Sequence, residues 1–230
     1  MLNEQQDQAI DAFIEAVQSD PDTSELHFAL GNLFRRRGEY ERAVRVHDHL
    51  LSRGDLSLAD RQRAQHALAL DYLKAGLLDR AEAALLKLEG TPFETQAQLA
   101  LLANYERSRD WTHAAQIAQK LELSKQGNFS GRLAHYLCEK ASVCIANKEY
   151  IQARSLLEEA INTAPAAPRP RIDLASMFND QGQPEDAYRT LEKSFQSTRT
   201  ALPLIAGPFA QYAIGSMHVP QALELLKTSY

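Results

Sequence analysis

Cysteine and histidine are the residues most able to bind a metal ion, and the chain has two cysteines and seven histidines. Cys138 and Cys144 are six residues apart, so on one helix their side chains point in different directions and cannot share a tetrahedral ion. His47 and His49 are two apart and also face different ways, and we expect them at the surface or between repeats. The spacings therefore predict structural cysteines and no metal site.

Motifs for catalysis are also missing from the sequence. It contains no Gly-x-Gly-x-x-Gly, no glycine before a lysine as in a phosphate-binding loop, and no His-Glu-x-x-His. The serine in residues 127–131 (GNFSG) is one place away from the position of a nucleophile elbow, and no strand is predicted before it. We predict that the chain has no catalytic residue and is not an enzyme.

Composition excludes two further classes of function. A net charge of −5 and a pI near 5.8 leave no basic surplus for binding a nucleic-acid backbone. No apolar run approaches the roughly 18 residues of a membrane span, and the polar, acidic residues 2–7 are not a signal peptide. With only two cysteines, a disulfide framework is implausible. We expect a soluble chain from a reducing, cytoplasmic compartment, without a cofactor.

A recurring alanine shows how the chain is organised. It returns at steps of 34, 38, 33, 39, 34 and 35 residues. Its positions are Ala9, Ala43, Ala81, Ala114, Ala153, Ala187 and Ala222. An apolar or aromatic residue follows about four positions later, and another precedes it by about nine. A period near 34 with small residues at fixed offsets is typical of tetratricopeptide helix-turn-helix repeats, which stack into a superhelix that binds other proteins.

We therefore predict an all-α, right-handed superhelical solenoid that forms a single domain over residues 1–230. The expected elements are an orphan second helix over 1–20 and helix pairs over about 24–53, 61–90, 91–124, 132–165, 168–197 and 203–230. The first helix of a pair should end at a left-handed residue, which is glycine at Gly38 and Gly76 but Arg109 in the third pair. The small alanine should let the second helix approach the first closely.

Capping residues and prolines locate several helix ends. Thr91 is expected to cap the first helix of the third pair, with Glu94 completing a capping box. Pro184 should open the second helix of the fifth pair. Pro203 and Pro208 predict that the first helix of the sixth pair is short, kinked or shifted.

Both ends of the sequence lack a partner helix. Residues 1–8 are too few to form the first helix that should precede Ala9, and Leu223, Leu225 and Leu226 are followed by no polar capping helix. We interpret the chain as a fragment of a longer protein. The alternative is a natural short chain whose bare ends pair with another copy.

Four stretches carry a resemblance to a known family, namely LNEQQDQAI at 2–10, LHFALGNLFRRRGE at 26–39, DYLKAGLLDRAE at 71–82 and AHYLCE at 134–139. They closely resemble the lipopolysaccharide assembly protein B family, and the resemblance spans nearly the whole chain. Members of that family are Gram-negative inner-membrane proteins, in which an N-terminal membrane helix anchors cytoplasmic repeats and a rubredoxin-like module with two Cys-x-x-Cys pairs ends the chain. The anchor and the iron- or zinc-binding module are absent from these 230 residues.

The resemblance implies a role in restraining lipopolysaccharide synthesis. The family presents the deacetylase that commits precursor to lipid A to an inner-membrane ATP-dependent zinc metalloprotease, which destroys it. A membrane-embedded lipopolysaccharide sensor opposes this. The alternatives are a general peptide-binding scaffold or chaperone adaptor in envelope assembly, a metal-dependent redox protein, and an enzyme of lipid A assembly.

Outward positions of the first helices supply the candidate partner-binding residues of the concave face. These are Asn32, Arg35, Arg36, His66, Lys74, Arg107, His135 and Glu139. Four of them are cations that would form a basic strip, namely Arg35, Arg36, Lys74 and Arg107. Such a strip would attract an acidic segment or a carboxylate-bearing tail.

The alternative for the arginines is a helix C-terminus complemented by cations, and for His135 with Glu139 a simple pair one turn apart. We predict that Arg35 and Arg36 are both exposed, so their joint replacement by glutamate should weaken partner binding and leave melting nearly unchanged.

Overall fold

The computed structural model describes residues 24–197 and 202–229, together with Ala12. These residues form twelve helices and no strand, in agreement with the predicted all-α class. Apart from Ala12, which is helical, the expected orphan helix over 1–20 lies outside the described residues. In the part of the chain that is described, no helix is both long and apolar enough to cross a bilayer.

The chain divides into two compact units, Met1–Ser108 and Arg109–Tyr230. The first contains α1 (Ser24–Arg36), α2 (Tyr40–Ser52), α3 (Leu58–Ala75), α4 (Leu78–Leu86) and α5 (Glu94–Ser108). The second contains α6 (Trp111–Leu123), α7 (Ser130–Ala146), α8 (Tyr150–Thr163), α9 (Arg169–Asp180), α10 (Pro184–Ser197), α11 (Leu202–Gly215) and α12 (Val219–Ser229).

A residue with positive φ ends the first helix of every pair. It is Gly38, Gly76, Arg109, Lys148, Gly182 and Met217 in turn, with φ between 57° and 80°. Each lies five positions before a recurring alanine, and those six alanines are at most 3% exposed. The left-handed turn and the buried small residue thus recur in fixed register, although three of the six turns place a side chain where glycine is least strained.

Three helix ends refine the sequence predictions. Helix α10 begins at Pro184, as expected. Helix α5 begins at Glu94, and Thr91 caps the preceding turn as expected, since its Oγ1 accepts from the backbone N–H of Phe93 at 3.2 Å. The Glu94 carboxylate accepts from the backbone N–H of Gly90 at 3.1 Å rather than from that of Thr91, so the reciprocal capping box does not form. Helix α11 has 14 residues with Pro208 inside it, so it is not shortened. Proline leaves only one carbonyl of the preceding turn without its donor, which a helix tolerates at a cost.

Large apolar side chains fill the space between helices in each unit. In the first unit, Phe28 and Leu50 pack with Ala64 between the first and second pairs. In the second, a continuous core runs from α7 to α12 and includes Leu157, Tyr188 and Phe209. The first helices contribute core residues and also exposed polar residues, such as Arg36 on α1 and Lys74 on α3.

Candidate protein-binding surface

We define the helix-A face as the surface formed by the first helices of neighbouring pairs, which are α1, α3 and α5 in the first unit and α7, α9 and α11 in the second. Helix α1 contacts α3 in the first unit, and α9 contacts both α7 and α11 in the second. All eight residues predicted for partner binding are on α1, α3, α5 or α7.

The predicted exposure of Arg35 is wrong. Its Nη1 donates to the carbonyl oxygen of Ala67 and to Oδ1 of Asp71, both at 2.9 Å. Its Nη2 donates to Oδ1 of Asn32. The Arg35 side chain is only 18% exposed, and the Asp71 side chain is fully buried. Arg35 therefore joins α1 to α3, because a buried carboxylate requires a charged partner, and Asn32 accepts from the same guanidinium within α1.

Asp71 is also bound from the other side. Nδ1 of His47, on α2, lies 2.5 Å from Oδ2 of Asp71 and donates to it, since a carboxylate only accepts. The His47 side chain points from α2 toward Asp71 and is fully buried, rather than at the surface. It fits because residue 31 is glycine: a Cβ there would overlap the imidazole. One polar network therefore connects Arg35, Asp71 and His47, and the sequence pattern did not predict it.

Three predicted cations are exposed at equivalent positions of the first unit. Arg36, Lys74 and Arg107 each lie two residues before the positive-φ residue of their pair. Arg107 touches α3 through a bond from Nη1 to the carbonyl oxygen of Leu73 at 3.4 Å. The same position holds Ala146, Asp180 and Gly215 in the second unit, so the strip of cations is confined to the first.

His66 is half-buried and stacks on the ring of Phe93, with the ring centroids 5.0 Å apart. Burial, together with the positive charge of Arg35, lowers the pKa of its imidazole. Both effects favour the neutral form. His66 therefore presents an aromatic surface rather than a positive charge on the helix-A face.

His135 and Glu139 are brought together by Arg169 of α9. Its Nη1 donates to Nδ1 of His135 at 2.6 Å, its Nη2 to Oε1 of Glu139 at 2.7 Å, and its Nε to Oδ2 of Asp173 at 3.3 Å. Because guanidinium only donates, Nδ1 of His135 must be unprotonated. The two predicted residues thus meet through a third residue. The sequence could have indicated Arg169, because it follows His135 by 34 residues, which is the length of one repeat.

Trp111 and Cys138 lie on the protein side of this cluster, in which His135 is exposed to solvent. The Trp111 ring lies edge-on to His135, with centroids 5.6 Å apart. Cys138 is fully buried, and burial raises the pKa of its thiol to about 12. Burial also raises the pKa of Asp173. Cys144 is buried as well, in the core position expected for it.

Neither cysteine joins a metal cluster. Over 24–197 and 202–229, no three metal-binding side chains are grouped closely enough to hold an ion. The polar side chains described on this face form ion pairs and hydrogen bonds, such as those of Arg169 with Glu139 and of Arg107 with Leu73.

Comparison with known proteins agrees with the repeat pattern. Two segments, residues 26–62 and 168–193, match profiles described as tetratricopeptide repeat. Among solved structures, the chain is similar to a tetratricopeptide repeat protein from Parabacteroides merdae ATCC 43184, with a TM-score of 0.46, 16% identity, and coverage of 99% of this chain and 86% of that one. Another is YrrB, with a TM-score of 0.46, 17% identity, and coverage of 81% and 92%.

Curated relatives match at higher identity. Lipopolysaccharide assembly protein B of Escherichia coli (strain K12) is 31% identical over 231 residues, which cover 100% of this chain and 55% of the relative. Its namesake from Haemophilus influenzae (strain ATCC 51907 / DSM 11121 / KW20 / Rd) is 31% identical over 201 residues, covering 84% and 50%. The chain spans about half the length of these relatives. It is therefore a tetratricopeptide-repeat chain that is homologous, over its whole length, to part of lipopolysaccharide assembly protein B.

Proposed function

We propose that the chain is a non-catalytic protein-binding adaptor in the control of lipopolysaccharide synthesis. In this proposal it acts on the cytoplasmic side of the inner membrane. It presents the committed-step deacetylase of lipid A synthesis to a membrane-bound ATP-dependent zinc metalloprotease, and a membrane lipopolysaccharide sensor opposes it. The observation that carries the proposal is the 31% identity to lipopolysaccharide assembly protein B over the full length of the chain.

The exposed cations of the first unit support a protein-binding role. Arg36, Lys74 and Arg107 come from three successive first helices. All three side chains are exposed, so their charges face the solvent. Such a strip would attract an acidic segment and set its register.

The test uses the full-length protein and its candidate partners. A variant with Arg36→Glu, Lys74→Glu and Arg107→Glu should lose crosslinks to the partner on this face, and the deacetylase should persist longer in cells. A matched control with Arg45→Glu, Arg109→Glu and Lys125→Glu changes the charge equally at exposed positions outside this set. If the wild-type protein crosslinks neither the deacetylase nor the protease, the proposed adaptor role is wrong, and a general peptide-binding scaffold in envelope assembly replaces it.

A further inference from the structure

A row of three cations crosses the helix-A face of the first unit. The second residue before the positive-φ residue is Arg36 on α1, Lys74 on α3 and Arg107 on α5. We call these three residues the cation row. All three side chains are exposed, and none forms an ion pair with a residue in the described ranges 24–197 and 202–229. Their charges therefore remain available to a ligand.

Apolar and aromatic side chains lie one and two helical turns before the cation row. Residues four apart on a helix share a face and are separated by about 6 Å along its axis. One turn before the row are Leu70 on α3 and Ala103 on α5, and two turns before it are His66 and Leu99. We call these four residues the apolar band. Leu99 is 43% exposed and Ala103 is also exposed, whereas Leu70 and His66 are partly buried.

Two contacts hold α3 beside α5 along this band. The His66 ring stacks on the ring of Phe93, which directly precedes α5, with the centroids 5.0 Å apart. Toward the other end of the helices, Nη1 of Arg107 donates to the carbonyl oxygen of Leu73 at 3.4 Å. The residues of the apolar band lie on the helix segments that these contacts delimit. The two helices therefore present the band together.

Helix α1 contributes only to the cation row. One turn before Arg36 is Asn32, whose Oδ1 already accepts from Nη2 of Arg35. Two turns before it is Phe28, which is 1% exposed and covered by the guanidinium of Arg63, 4.0 Å from the ring centroid. A ligand on this face therefore meets positive charge along three helices and apolar contact along two.

The second unit does not repeat this arrangement. At the position of the cation row it has no cation, and one turn earlier it has only polar residues. These residues are Ala146, Asp180 and Gly215, and Ser142, Ser176 and Gln211. Two turns earlier are Cys138, Ile172 and Gly207, of which only Ile172 offers a partly exposed apolar side chain. The cation row beside an exposed apolar band is therefore a feature of the first unit.

The cation row is not a requirement of the repeat itself. Cations in the last turn of a helix complement its dipole, and that would be a sufficient reason for Arg36, Lys74 and Arg107. However, α7, α9 and α11 end without any basic residue in the last turn. First helices of this chain thus form without such cations, and three unpaired cations on a chain of net charge −5 favour an acidic ligand.

We propose that this surface binds an acidic, amphipathic segment of a partner protein. Carboxylates of the segment meet the cation row, and its apolar side chains pack on the apolar band. The inference rests on the proposed adaptor role and deepens it, because it states what the partner segment must carry in addition to negative charge. A segment that is only acidic, or only apolar, satisfies one part of the surface and leaves the other unused.

The experiment titrates the 230-residue chain with four fluorescein-labelled nonapeptides and follows fluorescence anisotropy. The first peptide is SELESELES. The second has glutamine for each glutamate, the third has alanine for each leucine, and the fourth has both changes. SELESELES should bind most tightly and more weakly as salt is added. Each single change should weaken binding about tenfold, by loss of the charge pairs in one case and of apolar contact in the other.

Variants of the chain assign each preference to its part of the surface. The triple variant Arg36→Gln, Lys74→Gln and Arg107→Gln should lose the preference for glutamate over glutamine and keep the preference for leucine over alanine. Leu99→Ser should weaken the preference for leucine and keep that for glutamate. This crossed result is expected only if each group on the chain contacts the matching group of the peptide.

Two control variants change the same residue types elsewhere in the first unit. Arg45→Gln, Arg80→Gln and Lys87→Gln remove three exposed cations from α2 and α4, outside the helix-A face. Leu86→Ser changes a leucine of α4 that is 51% exposed. Both controls should bind SELESELES as the wild-type chain does. Circular dichroism checks that every variant is folded.

Several outcomes would overturn the proposal. They are the absence of peptide binding, a glutamine or alanine peptide that binds as tightly as SELESELES, and control variants that lose binding as the surface variants do. Phosphatidylglycerol vesicles that compete with the peptide would assign the cation row to a lipid surface instead.

Failure of the adaptor role gives a different result. The peptides would then bind as expected, while turnover of the deacetylase would not depend on the cation row. Conversely, turnover that depends on the cation row without any preference for leucine would keep the adaptor role and overturn only this inference.

Discussion

Replacing Arg35 by methionine should destabilise the chain, whereas the same change at the adjacent Arg36 should not. Methionine keeps an unbranched apolar stem and removes only the guanidinium, so packing changes little in either variant. In Arg35→Met the fully buried Asp71 carboxylate loses its charged partner and keeps only the bond from His47. Arg36 is exposed and makes no ion pair with any residue that the structure describes.

The expected loss for Arg35→Met is about 3 kcal/mol of unfolding free energy. Removing one member of a buried ion pair costs roughly 3–5 kcal/mol, because the other charge stays buried and uncompensated. The 18% exposure of the Arg35 side chain lets water approach the site and places the value at the low end. At about 2–4 °C per kcal/mol for a chain of this size, melting should fall by about 6–12 °C. Arg36→Met should stay within about 0.5 kcal/mol.

Urea unfolding followed by far-ultraviolet circular dichroism measures both variants against the wild-type chain. Equal, small effects at the two positions would refute the reasoning. Arg35 would then behave as a surface residue, available to a partner as the sequence suggested. A double variant with Asp71→Leu tests the cause, since removing the buried carboxylate as well should recover part of the loss.

Three further predictions concern packing, backbone strain and thiol reactivity. Ala81→Leu should lower the free energy of unfolding by roughly 1–3 kcal/mol, because Ala81 is 0% exposed where α4 packs against α3. The control Ala83→Leu changes an exposed residue of the same helix and should have little effect. Equal melting temperatures for the two variants would place the recurring alanine away from a helix crossing. Lys148→Gly should stabilise the chain by about 0.5–1 kcal/mol in urea unfolding, because Lys148 has φ 64°, where glycine is less strained. Gly182→Ala should destabilise the chain for the same reason. A loss of stability in Lys148→Gly would mean that the lysine side chain stabilises the turn. Cys138 should react slowly with a thiol reagent at pH 8 in the folded chain and rapidly in urea, because its thiol is buried and burial raises its pKa to about 12. Fast labelling of the folded chain would contradict this burial.

The repeat architecture follows from the sequence because it depends on local chemistry. A small side chain is needed wherever the second helix crosses the first, and a left-handed residue is needed five positions earlier, so both recur with the repeat. The alanine spacing, together with the apolar residues at fixed offsets from each alanine, therefore predicted the helical class and the order of the pairs. The sequence predicted the start of α5 less well, because the Glu94 carboxylate accepts from the backbone N–H of Gly90 instead of from that of Thr91.

The tertiary structure decided which residues of the predicted surface are free. Arg35 and Arg36 are adjacent in sequence and differ by about 100° around the helix. One ion-pairs with Asp71, 36 residues further on, and the other is exposed. Likewise, His135 and Glu139 meet only through Arg169 of the next pair. Periodicity assigns a residue to a face of its own helix, but its partner comes from a neighbouring helix, and only the packed chain brings the two together.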